Sequence, residues 1–220
     1  MFCIILHLNQ LPEHSIQQAI VYINALITME LDVVLLLCMP GNVETLRATS
    51  FAAVQSFISD NIQNYAHGSS PLDAAISMAL MRLRNTNEDK SRRIIILNAV
   101  SDNDKQYISI MNCIFSAQKL NVTIDSIVLC SSIYLQQAAF ITHGLYLQTD
   151  ENKILQKLLD TIPIQGGARL KMSKVDFRAT CFCHRTMIDI GFVCSVCLSI
   201  FCKKMKICMT CQTDFSLANM

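Results

Sequence analysis

Apolar residues over the first 160 or so positions fall into two alternating patterns. Apolar runs from Phe2 to Leu8, Leu31 to Met39 and Arg93 to Val100, with Val122 to Cys130 as a fourth, have strand length and β-branched content. None alternates with polar residues, so each predicts a strand covered on both faces, as in a parallel sheet sandwiched by helices. Between these runs the apolar period lengthens. Ile16, Ile20, Ile23 and Ile27 recur at helical spacing, as do Leu72, Ile76, Leu80 and Leu83, and Ile154, Leu155, Leu158, Leu159 and Ile162 line one stripe. Strand and helix in alternation predict a doubly wound α/β domain with a mostly parallel sheet and helices on both faces.

Local punctuation supports these boundaries. Ser70-Pro71 offers a capping hydroxyl followed by proline at the first helical position. His143-Gly144 predicts a helix stop before a short final strand, Leu145-Tyr146-Leu147. A helix from about Glu151 closes the domain near Ile162, after which Pro163 and Gly166-Gly167 break all periodicity. The expected organisation is a domain over residues 1–162, a linker over 163–180, and a small unit over 181–215. No internal repeat is expected. That last unit is too short to build an apolar core unaided, so its order is expected to depend on a metal.

At 220 residues and 52% apolar content the chain can bury a sizeable core, which excludes a disordered protein. The longest apolar run, Val33 to Met39, has seven residues, against the roughly 20 that span a bilayer. Neither a basic segment nor a small-residue cleavage site marks the amino terminus as a secretory signal, so a reducing compartment is expected. Charge is asymmetric. Residues 1–162 carry ten Lys/Arg against fourteen Asp/Glu, and residues 163–220 carry eight against three, so −4 gives way to +5. A basic tail of this size reads first as a solvated surface and second as a contact for phosphate or an acidic protein face.

Seven of the eleven cysteines lie between Cys181 and Cys211. Cys194-Ser-Val-Cys197 and Cys208-Met-Thr-Cys211, with ten residues between Cys197 and Cys208, have the spacing of a structural zinc site. Each hook points two thiolates at one tetrahedral ion, and a site closed by four protein ligands leaves no position for water. Cys181, Cys183, His184 and Cys202 are surplus soft ligands that could complete a second site. However, Cys-x-Cys followed by His crowds three ligands into one turn, so they are expected to lie beside the finger without binding. Cys3, Cys38, Cys113 and Cys130 read as small core residues. Phe192, Phe201 and Phe215 are expected to form the core of the finger, and Lys203, Lys204 and Lys206 a solvated loop. No catalytic motif emerges, since the five histidines (His7, His14, His67, His143, His184) have no fixed spacing to a nucleophile.

The stretch Cys181-Phe-Cys-His-Arg, then Ile190-Gly-Phe-Val-Cys194-Ser-Val-Cys197-Leu-Ser-Ile-Phe-Cys202, then Ile207-Cys208-Met-Thr-Cys211, resembles the carboxy-terminal zinc finger of the smaller von Willebrand A subunits of TFIIH, the general transcription and DNA-repair factor. The resemblance extends upstream through Gln106-Tyr107, Ile114-Phe-Ser-Ala-Gln-Lys119, Leu135-Gln-Gln-Ala138 and Gly144-Leu-Tyr-Leu147. It covers about residues 91–215, and the first ninety residues follow it by arrangement only.

The resemblance implies a von Willebrand A-like fold followed by a C4 zinc finger with Cys194, Cys197, Cys208 and Cys211 as ligands. Members of that wider fold often hold magnesium through Asp-x-Ser-x-Ser after the first strand and residues of two further loops. Here the first loop reads His7-Leu-Asn-Gln-Leu11, without the carboxylate or hydroxyls, so Ser70 and Asp102 are expected to cap helices in a vestigial site. Also implied is a non-enzymatic nuclear scaffold in a hetero-oligomer. Its partner would be the larger von Willebrand A and ring-containing subunit of TFIIH, acting in RNA polymerase II initiation and nucleotide excision repair. A ring-type ubiquitin ligase is the alternative, disfavoured because the cysteines appear in the wrong rhythm for two interleaved sites. An integrin-like adhesion module would need an intact magnesium loop and a secretory route.

Overall fold

The structure, a computed structural model, describes residues 1–7, 11–63, 71–84, 92–102, 106–161, 175, 177–184, 186–197 and 199–215. Ser70, Ile162, most of the expected linker and the loop residues Leu8 to Gln10 lie outside them. The chain divides into two compact units, one formed by residues 1–102 and 109–175, the other by residues 176–220 with the short piece 103–108.

A six-stranded sheet organises the larger unit, with β1 (Phe2–His7), β2 (Val33–Met39), β3 (Asn42–Ala48), β4 (Arg93–Asn98), β5 (Thr123–Val128) and β6 (Tyr146–Gln148) in the order β3-β2-β1-β4-β5-β6. All pairings are parallel except β2 with β3. Every residue of β1, β2 and β4 is buried, as expected for strands that pack a helix on each face. The antiparallel edge strand was not legible as an apolar run because β3 is half exposed. Its signal is the dipeptide Pro40-Gly41, a turn in which Gly41 takes φ of 77° and lets the chain reverse within two residues.

The helices are α1 (Glu13–Thr28), α2 (Phe51–Gln63), α3 (Leu72–Arg84), α4 (Tyr107–Lys119), α5 (Ile133–Ile141) and α6 (Ile154–Asp160). Side chains of α1, α2 and α6, among them Ile16, Tyr22, Ile23, Val54, Ile58, Ile154 and Leu158, pack into one core with Phe2, Ile4, Leu6, Leu35, Leu37 and Leu97. The alternate residues of β1 face the other way, where Cys3 Sγ lies 3.9 Å from the carbonyl of Ala79 in α3. The predicted α3 stripe is buried throughout, whereas on α6 Leu159 is 46% exposed. Of the four cysteines expected in the core, Cys3, Cys38 and Cys113 are buried but Cys130 is exposed, since it follows β5 in the bend after the strand ends.

Three helices stop in the same way. Glu30, Asn121 and His143 adopt φ of 57°, 52° and 58°, and the next residue's N–H reaches back five residues, to Leu26, Ala117 and Ala139. This closes the last turn and satisfies carbonyls that would otherwise be orphaned. At the predicted His143-Gly144 stop, the histidine takes the left-handed position. Gly144 is required for a different reason: a Cβ there would stand 1.8 Å from the Ile124 carbonyl oxygen.

One charge pair lies inside the unit. Arg93 Nη2 approaches Asp125 Oδ2 at 2.6 Å, with both side chains almost fully buried. Arg93 Nη1 donates to the Thr161 carbonyl (2.7 Å), whose hydroxyl meets Tyr22 Oη at 2.9 Å, and Asp125 Oδ1 accepts the Leu145 N–H at 2.8 Å. The pair thus ties β4, β5, α1, α6 and the approach to β6 together. Removing one partner leaves the other charge buried, which costs about 3 to 5 kcal/mol. Urea unfolding of Asp125→Ala should show a loss of that size, and Arg93→Met/Asp125→Leu should recover most of it. Equal losses for the single and double variants would contradict this account.

Candidate metal centres

The carboxy-terminal unit is built from three loops of one design. Two are framed by short antiparallel hairpins, β7 (Ala179–Thr180) with β8 (Met187–Ile188) and β9 (Phe192–Val193) with β10 (Ile200–Phe201), and the third by an isolated bridge between Ile207 and Asp214. Each opens on a buried cysteine, Cys181, Cys194 or Cys208, whose N–H donates to the carbonyl five residues on, at Thr186, Ser199 or Thr213, over 2.8 to 2.9 Å. A second soft ligand stands three residues after each: His184, Cys197 and Cys211. The chain therefore repeats Cys-x-x-Cys/His-x-Ser/Thr three times. The repeat escapes a reading confined to Cys-x-x-Cys because its first copy ends on histidine.

The second and third loops face each other. Cys194 Sγ lies 3.7 Å from Cys211 Sγ and Cys197 Sγ lies 3.6 Å from Cys208 Sγ, and all four sulfurs fall within 4.8 Å of one another. Zinc–sulfur bonds of about 2.3 Å at the tetrahedral angle set a sulfur–sulfur edge of about 3.8 Å, so this set fits a closed tetrahedral ion. Hydroxyls of the repeat support the anionic form. Ser199 Oγ sits 3.1 Å from Cys197 Sγ and lowers its pKa to about 6, and Thr213 Oγ1, 3.0 Å from Cys211 Sγ, lowers that thiol too. Thiolates are the metal-binding form, so Cys197 and Cys211 ionise ahead of Cys194, whose thiol, despite the Cys197 N–H, is pushed up to about 11 by its hydrogen bonds to the sulfurs of Cys197 and Cys208.

Contrary to expectation, the surplus ligands also converge. Cys181, Cys183, His184 and Cys202 bring three sulfurs and His184 Nδ1 within 4.8 Å of one another. The crowding expected of Cys-x-Cys-His shows in the 2.7 Å between Cys181 and Cys183 Sγ, yet the turn after β7 gathers Cys181, Cys183 and His184 and the chain after β10 brings Cys202 to them. Burial opposes ionisation of Cys181, but hydrogen bonds from Cys183 and from the backbone around the loop lower its pKa to about 6.

The apolar interior of this unit is small. Phe201 is buried with Cys194 and Cys208, and Phe182, Met205 and Phe215 pack partly against them. Phe182 and Phe201 meet edge to face at 6.4 Å. Phe192, expected in this core, is instead 49% exposed on the rim of a cavity of about 250 Å³ that Lys203 and Lys204 also line.

In the larger unit, the carboxyl ends of β1 and β4 lie side by side where the strand order reverses, the usual ligand-binding position of an open α/β sheet. There His7 Nδ1 donates to Asn98 Oδ1 over 2.6 Å, and Asn98 Nδ2 donates to the Val100 carbonyl. Asp102 does cap a helix, and the one shown is α5, remote from it in sequence. Its carboxylate accepts from the Ser132 hydroxyl and from the N–H groups of Ile133 (2.6 Å) and Tyr134 (3.2 Å), at the start of α5.

Residues 40–212 match the sequence profile of the family described as transcription factor Tfb4. General transcription factor IIH subunit 3 of Dictyostelium discoideum is 43% identical over 160 residues, covering 68% of this chain and 43% of that protein. General transcription and DNA repair factor IIH subunit tfb4 of Schizosaccharomyces pombe is 43% identical over 162 residues, covering 68% and 53%. The chain spans about half the length of such relatives. The crystal structure of the TFIIH p34 N-terminal domain superposes with a TM-score of 0.63 at 22% identity, covering 72% of this chain and 95% of that one. The SpRpn10 VWA domain superposes at 0.54 with 14% identity, covering 76% and 97%. At these identities the structural likeness shows the fold alone, a von Willebrand A-like sheet.

Burial of His7 lowers its pKa below the ordinary 6.5, against a partly compensating hydrogen bond to Asn98. The unfolded chain then binds the proton first. Stability is complete above pH 6.5 and declines as pH falls from there to the folded-state pKa, by up to about 1.4 kcal/mol per pH unit. Urea midpoints measured from about pH 7.5 to about pH 5.5 should fall more steeply for the native chain than for His7→Phe. Parallel profiles would refute this assignment.

Proposed function

Because the chain belongs to the transcription factor Tfb4 family, we propose that it is a non-catalytic scaffold subunit of the TFIIH core complex. In this reading it acts in the nucleus, in RNA polymerase II initiation and nucleotide excision repair, as relatives named transcription and DNA repair factor subunits suggest. Its principal partner is the larger von Willebrand A and ring-containing subunit. Residues 1–162 form the docking domain, 163–180 the linker, and 181–215 the finger.

The observation that carries this reading is the all-cysteine set Cys194, Cys197, Cys208 and Cys211. These residues fit one structural zinc ion. Four thiolates complete a tetrahedron and leave no coordination position for water or substrate, so the ion would hold the tail in shape and do no chemistry. In the larger unit, the Asp102 carboxylate, after β4, is engaged at the amino end of α5. Among the described residues, no helix is long and apolar enough to cross a membrane.

The ligase alternative rests on one feature, the alternation of the two ligand sets along the chain. Discharge of ubiquitin from a charged conjugating enzyme by the purified chain would establish it over the scaffold reading. Contact of Lys203, Lys204 and Lys206 with DNA is a secondary expectation of the basic tail.

Cys208→Ser leaves three ligands and forfeits much of the ~10 to 16 kcal/mol that structural zinc contributes to folding. Hydrogen exchange should accelerate across residues 177–215, and a tagged chain should recover less of the larger von Willebrand A subunit from nuclear extract. Cys130→Ser, which changes an exposed thiol outside the finger, should alter neither. Unchanged tail protection in Cys208→Ser would overturn the scaffold mechanism.

A further inference from the structure

The threefold repeat of the carboxy-terminal unit supplies six ligands in three hooks, and the all-cysteine cluster uses two of the hooks. The remaining hook, Cys181 with His184, has the same five-residue backbone closure as the other two. It lacks a fourth copy to face. Cys183, from inside its own turn, and Cys202, just after β10, occupy the places that a facing hook would fill. Their sulfurs lie 3.7 Å apart, and His184 Nδ1 stands 3.1 Å from Cys183 Sγ, 3.2 Å from Cys202 Sγ and 3.9 Å from Cys181 Sγ. These edges bracket those of a tetrahedron with bonds of about 2.3 Å to sulfur and about 2.0 Å to nitrogen. The Cys181–Cys183 separation, 2.7 Å, falls short of them. The Cys202 N–H also donates to Cys181 Sγ over 3.2 Å, so the backbone of one ligand orients the sulfur of another.

We propose that Cys181, Cys183, His184 and Cys202 form a second, Cys₃His zinc site. The ligands of the two sites alternate along the chain: Cys181, Cys183 and His184 belong to the second site, Cys194 and Cys197 to the first, Cys202 to the second, and Cys208 and Cys211 to the first. Each ion therefore lies inside a chain loop closed by the other, and the finger is a binuclear unit. Three sulfurs and one nitrogen select zinc over the hard oxygen-seeking cations. The histidine ligates through Nδ1, which leaves Nε2 as an outward donor.

The proposal rests on zinc also occupying the all-cysteine cluster, and metal content separates the two claims. The full chain, expressed with zinc and desalted, should carry two equivalents. X-ray absorption should give seven sulfurs and one nitrogen shared over two ions, an average of three and a half sulfurs per zinc. Two equivalents with this mixed shell support both sites. One equivalent in a pure sulfur shell defeats the second site and leaves the first, and no bound zinc defeats both. His184→Cys should keep two equivalents and shift the shell to sulfur alone, whereas His184→Ala should lose about half the zinc. Full zinc retention and an unchanged shell in both variants, or a Cys181–Cys183 disulfide in non-reducing mass spectrometry, would overturn the second site.

Discussion

A unit whose buried apolar side chains, among the described residues, amount to Phe201 and three cysteines, with a few rings leaning against them, cannot offset the conformational entropy of ordering about forty residues by hydrophobic burial. Convergence of soft ligands is the constraint on which the carboxy-terminal half of the reading depends. Each loop fixes its own backbone through one hydrogen bond and presents two ligand atoms, so the local structure is prepared in advance and the ion supplies the long-range connection. Gly191 shows how tightly the result is drawn, since a Cβ there would lie 2.6 Å from the Ile200 side chain.

The larger unit solves the opposite problem. Its strands β1, β2 and β4 are buried throughout, so cohesion is ample and the difficulty is to place polar groups within it. Two carboxylates do this by accepting backbone N–H groups. Asp125 meets Leu145 at the entry to β6 while balancing Arg93, and Asp102 meets the first N–H groups of α5. Both therefore fix connections between elements.

Apolar runs of strand length, rich in β-branched residues and set between helical stripes, pointed to strands buried on both faces, so the parallel sheet was legible, as were the stripes. The edge strand β3 was not, because a half-exposed strand loses the run and keeps only its turn, Pro40-Gly41. The all-cysteine cluster was legible because Cys-x-x-Cys encodes its geometry locally. His184 and Cys202 were legible as surplus ligands but their convergence was not, because it is made by a hairpin that returns Cys202 across the unit, a distance that ligand spacing does not record. Asp102 followed the same rule: its role as a cap was readable, but the helix it caps begins thirty residues later.

That engagement of Asp102 carries a consequence for how the switch-point end of the sheet behaves. In von Willebrand A-like domains that hold magnesium, loops are gathered by an ion that arrives and departs with its supply. Here the loop after β4 is fastened to α5 by a side chain of the same polypeptide, through contacts that no chelator can extract. Those two segments are therefore joined by bonds internal to the polypeptide, which need no ion as a bridge.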